Sequence, residues 1–583
     1  MLYDIAVPEM YLNELTYESP VELKTGVRVF VEVQRHIHVG FVLGQTKKNL
    51  PPELKIKNVE ALLDYSPVIS PDLWDMALYA GRICMCGTAA ALSTILPRPL
   101  IMGEKLATSP GIIRTRPQNF REIDNFNPFD SERINFYLDE LKANKRTLIL
   151  FSRKLAAKRF FDFLPENIKS RALLWSSSVG KKYWLSWLKT HAGDFDFVVG
   201  TAGAIFAPII PEKIILEDEA SKSFFISYNL NISARSLAGR RAAFLGAEFI
   251  IGGRLPSLKT FKRSKPAQKF SPDRKNIILA DIFHSKTIKE ESKGVEGNIP
   301  ITRSLLKHTY RELMKGGSVI WILDRVGEAS EVFCSHCGES VKCPKCQNLM
   351  QVKGDGKILR CRMCGTVREL PPKCEKCGHE ILTGRRPGIE ALEKMALKYF
   401  NRVQLFTNKY VRPKKNSLIL STRRGLDLCD SIDPSLIAWL DLDFELWQPE
   451  HDTRLEVFKL LWESYWRGRT EDSQRKVLIQ TRRQGMKLAV FLSQGWANFF
   501  PNELHRREEF KLPPFGYLID VETDSPELRE KLLDALFDAN IFVMDSGEVT
   551  EPLRINTESL EPVEKIFQSM SLLRKEFNIT VWN

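Results

Sequence analysis

The sequence predicts a multidomain α/β protein. Two α/β lobes carry an inserted cysteine module, with a small β-rich domain in front and an α+β domain behind. Three observations support this. Short apolar runs alternate with helical segments from about residue 126, the pattern of βαβ units and parallel sheets. Eight cysteines fall as four CxxC pairs between Cys334 and Cys377 and interrupt that alternation, which resumes after them. At 583 residues the chain is too long for one core, and about four domains is the prior at ~150 residues each.

The N-terminal element comes first. Residues 25–43 alternate like strands around a turn, and 55–97 read as mainly helical. This gives a domain over 1–100. Residues 101–125 are rich in Pro, Arg and Gly and read as a linker. The first lobe, 126–275, is predicted from strand-like runs at 147–151, 195–199, 213–216 and 248–251. Its end, 254–275, is a basic loop containing Arg254, Lys259, Lys262, Arg263, Lys265, Lys269, Arg274 and Lys275, which joins the lobes. The second lobe starts over 276–330, with a strand at 318–323. It resumes over 381–490, with strands at 403–406, 417–420, 436–442 and 476–479. The cysteine module occupies 331–380. The tail, 491–583, shows strand, helix and strand from about 516. No internal repeat is visible beyond the CxxC pairs.

Composition is that of an ordinary globular protein, 43% hydrophobic and 10% aromatic. Lys and Arg number 85 against 72 Asp and Glu, a net charge of +13. That balance favours a polyanionic partner, since phosphate neutralisation supplies non-specific nucleic-acid affinity. A basic protein with no such partner fits the charge equally well. The first residues lack the basic and apolar regions of a signal peptide, and no run of about eighteen apolar residues occurs. The cysteines then belong to a reducing cytoplasm, where CxxC clusters mean metal rather than disulfides. Cys84, Cys86 and Cys429 have no partner at ligand spacing and read as small buried hydrophobes.

Eight thiolates suffice for two tetrahedral zinc sites with Zn–S near ~2.3 Å. The inner four, Cys343, Cys346, Cys361 and Cys364, have nearly the spacing of a zinc ribbon. Gly354 and Gly356 allow a hairpin return between them. The outer four, Cys334, Cys337, Cys374 and Cys377, then take the second ion. Sequential pairing is the alternative to this nested one. Gly338, Gly365 and Gly378 follow three of the pairs and supply the positive φ such turns need. All-thiolate sites are closed, so both zincs are expected to be structural. His336 and His379 lie among the pairs with no missing cysteine to replace. Lys342, Lys345, Lys353, Arg360, Arg362 and Lys373 on the module fit either phosphate contact or a solvated face.

At this point the residues resemble a known family. Leu323-Asp-Arg325-Val-Gly327 runs into the cysteine ladder, whose intervals are similar to those of the PriA (primosomal protein N-prime) family of superfamily-2 DNA helicases in bacterial replication restart. Val198 to Pro208 is similar to the family's VIGTRSALFAP. Ile214-Ile-Leu-Glu-Asp-Glu-Ala220 stands at its DEEH box. Gly253-Arg-Leu-Pro-Ser-Leu258 stands at its SATPSL. Phe500-Pro-Asn-Glu503-Leu504-His-Arg506, with Leu512-Pro513-Pro514-Phe515, resembles its F-x-x-E-L-x-x-R and PPF stretch. The resemblance covers most of the chain. It implies two RecA-like lobes, here degenerate, and an N-terminal domain that takes a DNA 3′ end.

The departures bear on chemistry. Nucleotide hydrolysis in this fold needs a Gly-rich loop with a Lys on the phosphates and a Ser/Thr on Mg²⁺. No G-x-x-x-x-G-K-[ST] string occurs. The nearest, Ser178-Val179-Gly180-Lys181-Lys182, lacks the first Gly and the hydroxyl. The loop and its strand read as deleted, with Asn125 to Asp130 leading straight into a helix. In the DEEH box the acids Asp218 and Glu219 remain but Ala220 replaces His. Ala202 replaces the Arg of GTRSA. Of the family's Q-x-x-G-R-x-G-R, the Gln falls on Trp462 and the first Arg on Trp466, while one Arg keeps its place at Arg469, with Arg467 at the variable position between them. With no Lys or Mg²⁺ ligand to serve, Asp218 and Glu219 are expected to be a solvated strand end. Arg467 and Arg469 are expected at the surface or on DNA. No catalytic residue is assigned, and ATP/Mg²⁺ is not expected as a cofactor.

DNA contact is expected in two places. In the N-terminal domain, Tyr17-x-x-Pro20 and Gly26-Val-Arg28-Val-x-Val31 match the family, with Arg28, Lys55 and Lys57 as candidate phosphate contacts. Thr16 stands at a family Asp, and Gln34 at a family Gly. The family's winged-helix domain is missing. The second place is the basic, aromatic stretch with Tyr410, Arg412, Lys414 and Lys415, and the pair Arg423 and Arg424, suited to charge plus base stacking. The implied function is a replication-restart protein that binds forks or D-loops. It would assemble the primosome for replicative helicase loading without ATPase or helicase activity. Primosome components and single-stranded-DNA-binding protein are the implied partners, in the nucleoid-associated cytoplasm. An active 3′–5′ helicase with an unrecognised loop and a zinc-ribbon protein scaffold are the alternatives.

Overall fold

The uninterrupted apolar runs become interior strands. A strand covered on both faces has no side for polar residues, so it reads as continuously apolar. Thr147–Phe151 and Lys213–Glu217 are buried at every position. The computed structural model describes all residues except 49–50, 52, 54, 107–119, 177–179, 228–229, 283–300, 324–331, 335, 337–338, 348–349, 354–357, 362–363, 384–388, 407–413, 447–449, 482–486, 546–550, 570–576 and 583. It divides into two units. One comprises residues 1–126, 131–266 and 507–583, the other 127–130 and 267–506.

Unit one opens with six strands: β1 (Leu2–Val7), β2 (Leu12–Glu18), β3 (Arg28–Val33), β4 (His36–Gln45), β5 (Lys57–Asn58) and β6 (Ala61–Leu62), in the order β5-β2-β1-β4-β3-β6. The two-residue turn between β3 and β4 puts Gln34 at φ +50° and Arg35 at +67°. Such turns favour Gly because both central residues are left-handed, which explains why Gly suits position 34. Helices α1 (Pro71–Ile83) and α2 (Gly87–Ile95) follow. The segment 55–97 is thus part strand and only later helical.

The first lobe's sheet is all parallel. It comprises β7 (Arg121–Phe126), β8 (Thr147–Phe151), β9 (Ala172–Trp175), β10 (Phe197–Gly200), β11 (Lys213–Glu217) and β12 (Glu248–Gly253), in the order β7-β12-β11-β8-β10-β9. β7 lies inside the expected linker. Its sequence, Arg-Glu-Ile-Asp-Asn-Phe, is mostly polar with only Ile123 and Phe126 apolar, which an edge strand tolerates, so it gives no continuous apolar signal. The first strand is therefore present, against the expectation that it was deleted. Only residues 127–129 separate it from helix α3 (Asp130–Leu141).

The N-terminal helices and this lobe share one hydrophobic core, running from Ala6 to Ile251. Its polar centre is Arg241, on helix α4 (Ala234–Leu245). Arg241 and Asp72 of α1 are both fully buried, with Nε to Oδ2 at 2.7 Å. Arg241 also donates to the carbonyls of Ile205 (2.6 Å) and Ala207 (3.0 Å). The expected basic loop at 254–275 holds a helix, α5 (Leu258–Ser264), capped by the Ser257 hydroxyl accepting from the Thr260 N–H. That cap explains how a basic stretch becomes helical.

Unit two repeats the first lobe's topology. Its strands are β13 (Ile277–Asp281), β14 (Val319–Ile322), then, after the module strands β15 (Val332–Cys334), β16 (Met350–Lys353), β17 (Ile358–Cys361), β18 (Val367–Glu369) and β19 (Ile381–Thr383), β20 (Val403–Phe406), β21 (Leu418–Ser421), β22 (Leu436–Trp439) and β23 (Lys476–Thr481). The sheet order β13-β23-β22-β14-β21-β20 is parallel throughout. Numbered within each lobe, both sheets run 1-6-5-2-4-3. This duplication is invisible as a sequence repeat. The cysteine module sits between the second and third strands of the sheet. Unit two also takes in Phe129, which packs edge-on against Phe270 (5.3 Å) and Trp466 (5.4 Å). Trp466 ends helix α6 (Thr453–Trp466).

The tail of unit one is α+β, as expected. Strands β24 (Tyr517–Glu522), β25 (Val543–Met544), β26 (Leu553–Thr557) and β27 (Asn578–Trp582) form an antiparallel sheet ordered β25-β26-β24-β27, with helix α7 (Pro526–Asp538) between the first two strands in sequence. Among the described residues, no helix is long and apolar enough to cross a membrane. Two substitutions on α1 separate buried from exposed ion pairing. Asp72→Ala is expected to lower unfolding free energy by about 3–5 kcal/mol, because it strands a buried guanidinium. Asp75→Ala, which removes the half-buried partner of the exposed Arg240, is expected to lower it by less than about 1 kcal/mol. Urea titration of each variant measures both.

Candidate metal centres and the polar edge of the first lobe

The module's backbone folds each CxxC onto a tight turn. Residues Gln347, Gly365 and Gly378, each just after the second cysteine of a pair, have φ of +61°, +68° and +72°. The glycines do what the sequence assigns them, and Gln347 takes the same conformation without that advantage. The Gly365 N–H returns to the Cys361 carbonyl (3.0 Å) and the Gly378 N–H to that of Cys374 (2.8 Å). β16 and β17 form the expected hairpin, Met350 facing Cys361. β15 pairs with β19 and closes the base of the module.

These turns gather the thiols into two groups. Cys343, Cys346, Cys361 and Cys364 lie with their sulfurs within 4.8 Å of one another, and so do Cys334, Cys374 and Cys377. Cys337 lies outside the described residues. The grouping is the nested one. Sulfur separations are 3.5 Å for Cys343–Cys364, 3.4 Å for Cys346–Cys361 and 3.5 Å for Cys334–Cys377. A disulfide needs ~2.05 Å, whereas a tetrahedron with ~2.3 Å arms has edges near ~3.8 Å. The donor set therefore fits a metal ion and not a covalent bond. Burial pushes the Cys364 thiol up, but hydrogen bonds from the Thr366 hydroxyl and N–H, and from Cys343 and Cys346, outweigh it and hold the pKa at about 6. Those contacts favour thiolate, the form a metal takes. Glu339 bridges Lys342 (2.6 Å) and Lys376 (3.1 Å), so Lys342 is engaged within the module.

The carboxyl ends of the first lobe's strands form a second polar cluster, the edge where open α/β sheets bind ligands. Three consecutive acids follow or end β11. Glu217 is buried and accepts from Arg133 of α3, with Nη2 to Oε1 at 2.8 Å and Nε to the same oxygen at 3.0 Å. It also accepts from the Tyr137 hydroxyl at 2.7 Å. Burial, then the Glu217 charge, holds the Tyr137 phenol well above its usual value, so it remains a donor. Gly252 is required beside it: a Cβ there would sit 2.0 Å from the Tyr137 hydroxyl. Asp218, at φ +66°, accepts from the Ser152 hydroxyl at 2.8 Å. Glu219, 3% exposed, accepts from Arg235 and from the Ser257 N–H, each at 2.5 Å.

Asp218 and Glu219 are thus not a solvated strand end. A charged group left there would have to be paired, and α4 and the start of α5 supply the partners for Glu219. Sequence reasoning missed Glu217, Arg133, Tyr137 and Arg235. The i, i+4 spacing of Arg133 and Tyr137, which places both on one face of α3, is the signal that could have found them. Arg467 is likewise not a surface residue: it is 4% exposed and pairs with Asp430 (2.8 Å) and Asp427 (2.5 Å). Arg469 lies over the rings of Tyr465 (4.4 Å) and Trp466 (5.2 Å).

The candidate DNA residues fall apart into separate places. Arg28 is fully buried, bidentate on Asp64 (2.6 and 3.0 Å) and donating to the carbonyls of Leu100 (2.6 Å) and Glu104 (2.9 Å). It is a structural cation and not a phosphate contact. Lys55 and Lys57 are exposed, Lys57 pairing with Glu32 at 3.0 Å. Thr16 donates to Asp4 (2.9 Å) and Tyr17 to the Glu32 carbonyl (2.9 Å). In unit two, Lys414 and Lys415 lie before β21 and Arg423 and Arg424 after it, all exposed. Seven residues separate the two pairs, four of them the strand β21, which alone spans ~13 Å. Arg423 pairs with Glu445 at 2.9 Å. Tyr410 and Arg412 lie outside the described residues.

The fold and site define a class: a protein with two α/β lobes of one topology, a module of clustered cysteines able to hold metal inside the second, and an N-terminal β domain sharing the first lobe's core. Residues 4–97 match the family model of the PriA 3′ DNA-binding domain. The chain is 25% identical over 373 residues to the replication restart protein PriA of Thermotoga maritima, covering 60% of this chain and 50% of that protein. It is 23% identical over 409 residues to that of Bacillus subtilis, covering 67% and 50%. With that of Haemophilus influenzae it shares 21% over 659 residues, covering 92% and 89%. The chain is similar to the bacterial PriA proteins, the family that the cysteine ladder and motif order resemble. It spans about half the length of the first two of these relatives. Metal analysis of purified variants tests the cysteine grouping. Cys343→Ser is expected to remove one bound equivalent and Cys374→Ser the other. Loss of both equivalents in each variant would contradict two separate centres.

Proposed function

We propose that this chain is a replication-restart protein of the PriA type that binds branched DNA and assembles primosome partners without hydrolysing ATP. The observation that carries the reading is the three-residue connection between β7 and α3. Phosphoryl transfer needs a cradle of backbone N–H groups, a Lys and a Mg²⁺-holding hydroxyl converging on the phosphates. Asn127-Pro128-Phe129 has no glycine, no lysine and no hydroxyl. Pro128 removes a backbone N–H as well. The acids that would serve a metal are already held: Glu217 by Arg133 and Tyr137, Asp218 by Ser152.

In this reading the two α/β lobes are degenerate RecA-like lobes. Both metal centres hold zinc, closed by four thiolates each, and act structurally. DNA contact rests on Lys55, Lys57, Lys414, Lys415, Arg423 and Arg424, with Arg412 beside them in sequence. The partners are primosome components and single-stranded-DNA-binding protein, in the nucleoid-associated cytoplasm. Purified protein with forked DNA and Mg·ATP provides the test. Fork binding that weakens steeply with salt, with no DNA-stimulated phosphate release, is expected. Phosphate release that DNA stimulates and Asp218→Asn abolishes would overturn the reading in favour of an active motor. Retained partner binding with no fork binding at low salt would favour a protein scaffold.

A further inference from the structure

The C-terminal domain carries the opposite charge to the rest of the chain. Residues 516–583 hold 14 Asp and Glu against 6 Lys and Arg, in a chain of net charge +13. Part of that charge is concentrated on α7. Glu530, Asp534 and Asp538 follow one another at i, i+4 and are all exposed. None of the three makes an ion pair among the described residues. Like charges at that spacing destabilise a helix slightly, so the helix itself gains nothing from the stripe.

An apolar patch adjoins it. Phe537, on the last turn of α7, is 84% exposed, Phe542 is 68% exposed and Met544 43%. The chain reverses between the two phenylalanines: Asn540 takes φ +56°, and the Asn540 and Ile541 N–H groups return to the carbonyls of Phe537 (2.9 Å) and Leu536 (2.9 Å). Along the extended segment that follows, Ile541 and Val543 pack against the domain core. Phe542 and Met544, the alternate positions, therefore face outward. The core is complete without them, and three large apolar side chains grouped on one end of a small domain mark an interaction surface.

We propose that this face docks a basic amphipathic helix of a partner protein. The acidic stripe repels a polyanion, so nucleic acid is the wrong occupant for it. β25 is an edge strand of only two residues, too short to template pairing with an extended peptide. A helix that lays apolar residues on Phe537, Phe542 and Met544 and sets lysines against the carboxylates satisfies both features.

The full-length chain tests this with a fluorescein-labelled Leu/Lys peptide of about 18 residues, leucines at i, i+3, i+4 and i+7, followed by fluorescence anisotropy. Binding is expected. The paired change Phe537→Ser with Phe542→Ser is expected to weaken it about tenfold or more. Glu530→Lys with Asp534→Lys is expected to weaken it too. All four positions are exposed, and unchanged thermal melting verifies folding. Four outcomes would overturn the proposal: undiminished binding by the Ser variant, equal binding of a scrambled peptide, equal binding of a Glu-for-Lys peptide, or a monomer–dimer change in sedimentation on the Ser substitutions, which would assign the face to a second copy. Fork affinity is read in parallel. A loss of fork binding in the Ser variant would make DNA the occupant instead.

Discussion

A carboxylate at the inner end of an interior strand has to be neutralised, and the first lobe is arranged around that requirement. Glu217 closes β11, which lies between β8 and β12 in the sheet. Desolvating its charge alone would cost several kcal/mol. Arg133 and Tyr137 meet it from one face of α3. That arrangement fixes how α3 lies against the sheet, and it demands glycine at 252, where a side chain would collide with the Tyr137 hydroxyl. The connection into α3 is then only three residues long. The short loop, the Arg–Tyr clasp and the glycine are one solution to one electrostatic problem.

The same principle organises the junction with the N-terminal domain. Arg241 is wholly buried and makes its bonds to Asp72 and to three backbone carbonyls, those of Ile205, Ala207 and Ile209. It leaves the helices of the first domain no freedom to sit elsewhere on the lobe. The hydrophobic core that surrounds it is continuous across what sequence divides into separate domains. A basic residue in a basic protein invites a reading as a phosphate contact. Arg28 and Arg467 invite it too, and all three are internal struts. In this chain the cations that hold the fold together and those available at the surface are different sets.

Much of the fold was legible because periodicity reports burial. The continuous runs at 147–151, 213–216, 417–420 and 436–439 announce interior strands. The four CxxC pairs announce two thiol clusters that could hold metal ions, because the spacing of the pairs leaves few alternatives. β7 was illegible for a physical reason: an edge strand can carry charge and few apolar residues, and Arg121-Glu-Ile-Asp-Asn-Phe126 looks like the linker around it. The 1-6-5-2-4-3 duplication was hidden because topology is set by which strands pair, not by which residues fill them. The roles of Arg133 and Arg235 were hidden because a buried ion pair joins residues 84 or 16 positions apart, and single-sequence patterns carry no such information.

Retained motif residues and retained chemistry are therefore separate questions. Asp218, Glu219 and Arg469 stand where a family of motors has functional groups, and a residue-by-residue comparison counts them as kept. Each is engaged within the fold: Ser152 for Asp218, Arg235 and the Ser257 N–H for Glu219, the faces of Tyr465 and Trp466 for Arg469, and beside them Asp427 and Asp430 for Arg467. A carboxylate bound to a guanidinium can be released to a magnesium ion only by stranding that guanidinium, and the stranded charge costs about as much as the pair was worth. Selection for stability alone is enough to preserve such residues. Their persistence is evidence about the core of the lobe rather than about nucleotide chemistry, which depends on the loop that is only three residues long.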